Sequence, residues 1–163
     1  MNADALLAAV GGALAAMPDP VASAQAEHYE RELAAYFGTR YAVAVASGTA
    51  ALHCALAGTS GDAGCFSTKD GKLLWSGEGG FNLTDDPGIA ARCRAFRTHW
   101  QTPPAGQAPL SFLGYNYRLA EPLAAIASAN LARFGQLLAR RQQQTRLLSA
   151  LITGSPAIED GDG

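Results

Sequence analysis

A short apolar run that leads into Ser-Gly-Thr constrains the fold of this chain more than any other feature. Residues 41–46 are apolar at every position and partly β-branched, which is typical of a strand buried on both faces of a parallel sheet. Ser47, Gly48 and Thr49 follow at once and open an alanine-rich helix that reaches about residue 57. The order of strand, tight turn and helix predicts an α/β fold.

Periodic patterns predict the other elements of the chain. Apolar residues at three- and four-residue steps favour helices, and Gly and Pro clusters favour the turns between them. Further helices are predicted at 3–17, 22–37, 87–99 and 121–152, and strands at 73–75 and 81–84 that meet in a hairpin. The tail 154–163 is expected to be frayed.

Composition and charge narrow the classes of function. The 163 residues suit one compact domain with at most a small appendage, and the 48% of hydrophobic residues supply a core. The net charge is −2 and the 12 basic residues form no cationic stripe, so we expect no nucleic-acid partner. The apolar segment 5–16 is too short to span a bilayer and lacks the basic start of a signal peptide, so we expect no membrane partner.

Cysteine and histidine spacing predicts neither a metal site nor a disulfide framework. The cysteines are odd in number and lack C-x-x-C spacing, and the histidines fall in separate segments without a partner carboxylate. These residues are Cys54, Cys65, Cys93, His28, His53 and His99. Free thiols persist in a reducing compartment, so we expect a cytoplasmic protein.

The Ser-Gly-Thr turn at residues 47–49 is a candidate anion site. Backbone N–H groups at a helix start, helped by the positive end of the helix dipole and by two hydroxyls, bind anions such as phosphate. A capped helix that follows a buried strand explains the same residues without a ligand.

A Gly-rich segment at 67–80 holds both lysines of the chain, Lys69 and Lys72, whereas the ten arginines lie elsewhere. An ε-amine loses its proton when desolvated and then attacks a carbonyl carbon, which a guanidinium cannot do. Glycines let a ligand approach the backbone closely. The residues alone favour two solvated turn lysines, with a nucleophilic lysine as the alternative.

Three blocks, in order, resemble the DegT/DnrJ/StrS-type sugar aminotransferases, which are pyridoxal 5′-phosphate (PLP) enzymes of fold type I. The first block is 30–53, the second runs from Gly61 through Lys72 to Gly-Glu-Gly-Gly at 77–80, and the third, at 113–121, contains Gly-Tyr-Asn-Tyr-Arg. The resemblance implies a partial fold type I large domain, three-layer α/β/α, at 1–120. A long C-terminal helix at 121–152 would lead to a missing small domain, and 153–163 would be a frayed tail.

The resemblance also implies the roles of individual residues. Lys72 would be the catalytic lysine that binds PLP covalently, while Lys69 would be a surface residue. Asn116 would reach a phosphate bound in the neighbouring subunit of a homodimer. The cofactor phosphate in the same chain would be held by Ser47, Gly48, Thr49 and Ser67.

The implied reaction moves an amino group from an amino acid, glutamate or glutamine, to a keto-sugar or keto-cyclitol. Nucleotide-sugar or cyclitol biosynthesis in secondary metabolism would be its setting. Two alternatives stay open: an inactive remnant that associates with itself or with an intact homologue, and a module that binds a phosphate-bearing ligand without covalent chemistry.

The sequence departs from the family between Gly58 and Gly61. The family carries further strands there, together with an aromatic residue that stacks on the pyridine ring and an Asp that pairs with its nitrogen, whereas this chain has Thr59 and Ser60. Asp62 matches a different family position. Ala120 stands where a helix-capping residue is usual. We therefore expect a marginally stable, self-associating chain.

Overall fold

A computed structural model describes residues 3–15, 24–57 and 61–153. The helices and strands in these ranges are, in chain order, α1 Ala3–Ala15, α2 Ala24–Phe37, β1 Tyr41–Val45, α3 Gly48–Ala57, β2 Gly64–Ser67, β3 Gly80–Thr84, α4 Pro87–Phe96, α5 Glu121–Leu131 and α6 Phe134–Thr153. The expected helix ends at 17 and 22, the bridge of Thr59 and Ser60, and the expected frayed tail at 154–163 lie outside the described residues. None of the described helices is long and apolar enough to cross a bilayer.

The three strands form one antiparallel sheet with β3 in its centre, in the order β1-β3-β2. β1 pairs with β3 from Tyr41 opposite Thr84 to Val45 opposite Gly80, and Ser67 at the end of β2 also lies opposite Gly80. The prediction of a parallel sheet around β1 is therefore wrong. An apolar run reports burial on both faces of a strand, and it does not determine the direction of the neighbouring strand.

Helices cover both faces of the sheet, which confirms the three-layer α/β/α arrangement. Ala42 and Ala44 of β1 pack in a core cluster with α2 and α5. Val43 and Val45, on the opposite face, pack in a second cluster with α3 and α4. Since successive side chains of a strand point to opposite faces, one apolar strand serves both cores.

The hairpin expected between 73–75 and 81–84 is only half correct. The second run is β3, but the first is not a strand, and β2 is the partner of β3. Leu74 is buried in the α2–α5 cluster without pairing to a strand. The short apolar run at 73–75 therefore belongs to a loop that is buried at Leu74, and not to a strand.

One predicted helix ends earlier than expected, and another is divided in two. The helix predicted at 87–99 stops at Phe96, because His99 and Trp100 take positive φ angles of 57° and 58° that a helix cannot contain. The helix predicted at 121–152 is divided between Leu131 and Phe134 into α5 and α6. The long C-terminal helix is thus the 20-residue α6 alone.

Candidate functional site

The N-terminus of α3 lies at the end of β1 and is capped by Ser47. Ser47 Oγ accepts a hydrogen bond from the N–H of Ala50 at 3.0 Å, and its carbonyl accepts one from the N–H of Ala51. The N–H groups of Gly48 and Thr49 have no acceptor among the described residues. The helix start thus leaves two amides without an acceptor in the described part of the chain, an arrangement that binds anions at helix N-termini.

Ser67, the last residue of β2, packs directly against Gly48. A Cβ atom built on Gly48 would lie 2.6 Å from Ser67 Cβ, so only glycine lets these two segments approach so closely. Gly80 of β3 serves the same purpose, because a Cβ there would lie 2.5 Å from the Ser47 carbonyl oxygen and 2.6 Å from that of Phe66. The two glycines bring the ends of β1 and β2 together.

A cavity of about 440 Å³ opens where these segments meet. Four of the residues predicted to hold a phosphate line it, together with Lys69, Glu78 and an apolar wall. The lining residues are Ser47, Gly48, Thr49, Ser67, Lys69, Glu78, Leu52, Cys65 and Phe66. Its volume is in the range of small-molecule sites in proteins, about 300–1,000 Å³.

The two lysines occupy different places on the turn between β2 and β3. Lys69 is exposed, as expected of a surface residue, but it also lines the cavity. Lys72 is exposed and is not among the residues that line the cavity, and its N–H donates to the carbonyl of Lys69 at 3.2 Å. The structure therefore brings the expected surface lysine, and not the expected nucleophile, to the cavity that the candidate phosphate-binding residues line.

Asn116 lies outside the cavity, on an exposed aromatic surface. It forms an isolated β-bridge with Thr98, and its Oδ1 accepts a hydrogen bond from Arg118 Nε at 3.1 Å. The rings of Tyr115 and Tyr117 on either side of it stack with centroids 5.1 Å apart. Of the six predicted site residues, four share the cavity, whereas Lys72 and Asn116 do not line it.

Comparison with known proteins gives this geometry its context. The model of the DegT/DnrJ/EryC1/StrS aminotransferase family matches residues 21–57 and 56–160. The chain belongs to this family. The match is in two parts that meet at residues 56–57, shortly before Thr59 and Ser60.

Curated members of the DegT/DnrJ/EryC1/StrS family resemble parts of the chain. L-glutamine:2-deoxy-scyllo-inosose aminotransferase from Streptomyces kanamyceticus is 35% identical over an alignment 105 residues long that covers 59% of this chain and 25% of that protein. GDP-perosamine synthase from Caulobacter vibrioides is 35% identical over 86 residues, which are 53% of this chain and 23% of that protein. The chain spans about a quarter of the length of these relatives.

Solved structures show the same fold. DesI in the presence of its TDP-sugar product aligns with a TM-score of 0.79 over 94% of this chain and 65% of that chain, at 18% identity. DesV of S. venezuelae aligns with a TM-score of 0.77 over 94% of this chain and 68% of that chain, at 20% identity. These likenesses confirm the partial fold type I large domain.

A buried ion pair that the sequence analysis missed holds β1 in place. Glu30 of α2 is 5% exposed and accepts hydrogen bonds from the N–H of Ala44 at 2.9 Å and from the guanidinium of Arg97, which is 7% exposed and also donates to the Ala44 carbonyl. Arg94 Nη2 lies 3.3 Å from the other Glu30 oxygen. The signal for it is a glutamate beside Tyr29 on the apolar side of α2, since a charge at a buried position needs a partner.

The three thiols lie on the α3 side of the sheet. Cys65 lines the cavity and accepts a hydrogen bond from Asn82 Nδ2 at 3.3 Å, while Cys54 and Cys93 are fully buried. Burial raises the pKa of both Cys54 and Cys93 to about 12. These two thiols are therefore neutral packing groups at physiological pH.

Asp62 lies in another part of the fold. It lines a separate cavity of about 850 Å³ with Asp85 and Asp86, and its carbonyl accepts a hydrogen bond from Thr84 Oγ1 at 2.9 Å. Among the residues that the structure describes, no group of three or more His, Cys, Asp or Glu side chains is arranged to hold a metal ion. The carboxylate that lines the α3 cavity is that of Glu78.

Proposed function

We propose that this chain is the cofactor-binding part of a PLP-dependent aminotransferase that acts on a keto-sugar or keto-cyclitol, with glutamate or glutamine as the amino donor. The observation that carries the proposal is the meeting of the Ser-Gly-Thr turn with Ser67 in one cavity. These residues come from two segments and match the phosphate-binding positions of the family. The names of the curated relatives supply the substrate class.

The residues of the cavity fit the phosphate end of PLP. The N–H groups of Gly48 and Thr49 and the hydroxyls of Thr49 and Ser67 would donate to its oxygens, since a helix N-terminus favours an anion. Bound PLP supplies an electron sink for the bonds of the substrate's amine-bearing carbon. Lys72 would bind the aldehyde carbon through Nζ and would move the proton at the substrate's amine-bearing carbon.

We also propose that the chain acts as a cytoplasmic homodimer. Three free cysteines suit a reducing compartment. Asn116 lies near exposed apolar side chains, among them Leu113 at 74% and Phe112 at 51% exposure, and a second copy would bury this surface. Sedimentation at micromolar concentration tests this, and a clean monomer contradicts it.

Borohydride reduction tests the proposed covalent chemistry. The purified chain is mixed with PLP, its visible absorbance is recorded, and the reduced protein is digested and mapped by mass spectrometry. We expect a yellow protein with the pyridoxyl group on Lys72, loss of the label in Lys72→Ala, and a label that still maps to Lys72 in Lys69→Ala at saturating PLP. A label spread evenly over both lysines and the N-terminus contradicts the catalytic role.

A second function is favoured by one observation, namely that Lys72 does not line the cavity. A chain with this geometry would bind a phosphate-bearing ligand without covalent chemistry. It would stay colourless with PLP and still bind it. A chain that neither colours nor binds PLP would be an inactive remnant of the family.

A further inference from the structure

We propose that Lys69 is a phosphate-binding residue, which supplies the positive charge for the anion at the N-terminus of α3. The inference rests on the proposed function, because it takes the ligand to be a phosphate monoester such as PLP. It adds a role that the resemblance does not give, since the resemblance makes Lys69 a surface residue.

The backbone fixes Lys69 beside the anion-binding residues. The N–H of Lys69 lies 3.5 Å from Ser67 Oγ, and Lys69 forms a β-bridge with Gly77 across the turn. The preceding residue, Thr68, is fully buried and its hydroxyl lies 2.8 Å from that of Ser76. The base of the turn is therefore held on both sides, and Lys69, which follows Thr68 there, lines the cavity.

The charges around the cavity indicate what Lys69 contributes to ligand binding. The other donors there are backbone amides and hydroxyls, which are neutral, and Glu78 adds a negative charge that opposes a phosphate dianion. Lys69 is the cationic side chain among the lining residues, and it forms no ion pair with any described residue. An ammonium is a compact charge, and its hydrogen bonds to phosphate oxygens are stronger than those of neutral donors.

The two lysines then divide the work of the site. Lys69 lines the proposed phosphate cavity, whereas Lys72 lies three residues further along the turn and is not among the lining residues. Binding of the phosphate therefore depends on Lys69, and covalent attachment of an aldehyde depends on Lys72.

A ligand without an aldehyde separates these roles. Pyridoxine 5′-phosphate carries the phosphate but cannot react with an amine, and pyridoxine lacks the phosphate as well. Isothermal titration calorimetry with both ligands measures the preference for the phosphate in the wild-type chain, in Lys69→Gln, in Lys69→Arg and in a remote charge control, Arg140→Gln on the exposed part of α6. Near-UV circular dichroism verifies that each variant keeps the fold.

We expect Lys69→Gln to weaken pyridoxine 5′-phosphate binding about tenfold, because a hydrogen bond to a charged group contributes about that factor or more. Binding of pyridoxine should not change, Lys69→Arg should retain most of the phosphate preference, and Arg140→Gln should behave as wild type. The affinity of the wild type should fall with added salt more steeply than that of Lys69→Gln.

Two results overturn the inference in distinguishable ways. The first result begins with a wild type that prefers pyridoxine 5′-phosphate over pyridoxine. If Lys69→Gln keeps that preference, or if Arg140→Gln loses it to the same extent as Lys69→Gln, the inference is wrong while the proposed function stands. If the wild type binds neither pyridoxine 5′-phosphate nor PLP, both fail together.

Discussion

The carboxylate of Glu121, at the start of α5, accepts a 2.8 Å hydrogen bond from the backbone N–H of Gln25, at the start of α2. Its other oxygen lies 3.3 Å from the N–H of Ala26. One negative charge thus faces the positive ends of two helices that pack on the same side of the sheet. Glu121, the last residue of the third sequence block, therefore ties the start of α5 to the start of α2.

Removal of this carboxylate should destabilise the chain. We expect Glu121→Ala to lower the free energy of unfolding by about 1–2 kcal/mol, because two amides of α2 lose their acceptor. Urea denaturation followed by circular dichroism measures the loss. The free energy of unfolding of Glu121→Gln should fall between those of the wild type and Glu121→Ala, since glutamine keeps an acceptor oxygen without the charge. Gln142→Ala, on the exposed part of α6, is the control, and an equal loss there would contradict the capping role.

The start of α5 also offers a stabilising change. Ala120 occupies the N-cap position with φ −66° and ψ 139° and makes no side-chain capping hydrogen bond, as the sequence predicts. We expect Ala120→Ser to raise the free energy of unfolding by about 1 kcal/mol. Thermal melting measures the gain. Ala120→Val has no acceptor oxygen and should not produce it; a gain in both variants would show that the cap is not the cause.

The buried ion pair of Glu30 and Arg97 predicts that the stability of the chain depends strongly on both side chains. Each single variant, Glu30→Gln or Arg97→Met, leaves a buried group without its partner and should lower the free energy of unfolding by about 3–5 kcal/mol. The double variant should lose less than the sum of the two. Denaturant titration of the four proteins gives the coupling energy, and additive losses would contradict a direct interaction.

Gly80 should tolerate no side chain. We expect Gly80→Ala to cost about 1–3 kcal/mol of stability, because its Cβ would overlap the carbonyl oxygens of Ser47, in the turn after β1, and of Phe66 in β2. It should also weaken phosphate binding, since it separates Ser47 from Ser67. Gly11→Ala is the matched control: nothing lies within 4 Å of that position in α1, so a small stability gain is expected. Calorimetric melting of both variants tests the contrast.

The buried thiols predict a loss of stability at high pH. Burial raises the pKa of Cys54 and Cys93 from 9.0 to about 12, so folding disfavours their ionised forms. Their contribution is complete below pH 9 and is lost as pH rises from 9 towards 12. Urea midpoints at pH 8, 9.5 and 10.5 should fall less in Cys54→Ala than in wild type once each is referred to its own value at pH 8. Parallel curves for the two proteins would contradict this origin.

Local signals in the sequence predicted β1, the turn after it and α3, because apolar and small residues follow one another without interruption there. β2 was missed because its four residues become a strand only by pairing with β3, whose paired residues follow 13 to 19 positions later (Ser67 with Gly80, Gly64 with Leu83). The division between α5 and α6 falls at Ala132 and Arg133, just before Gly135, and an isolated glycine in a helical pattern does not by itself predict a break. It occurs where the packed helix α5 ends and the exposed helix α6 begins.

Local signals in the sequence likewise predicted only part of the candidate site. The Ser-Gly-Thr turn was recognisable by itself, but its meeting with Ser67 depends on the sheet and was implied only by the family resemblance. Glu30 and Arg97 are 67 residues apart, so the partner of the buried glutamate could not be read from α2. The roles of Lys69 and Lys72 depend on which of them the turn directs to the cavity, and their spacing alone does not determine this.

The central position of β3 determines where this three-stranded sheet can gain or lose a strand. Both of its ladders are made with β1 and β2, so any strand that extends the sheet must join at an outer edge. Loss of an outer strand then removes hydrogen bonds from one edge and leaves both ladders of β3 unbroken. In this architecture the sheet can widen or narrow only at its margins, and the strands that border the cavity at the start of α3 keep their neighbours.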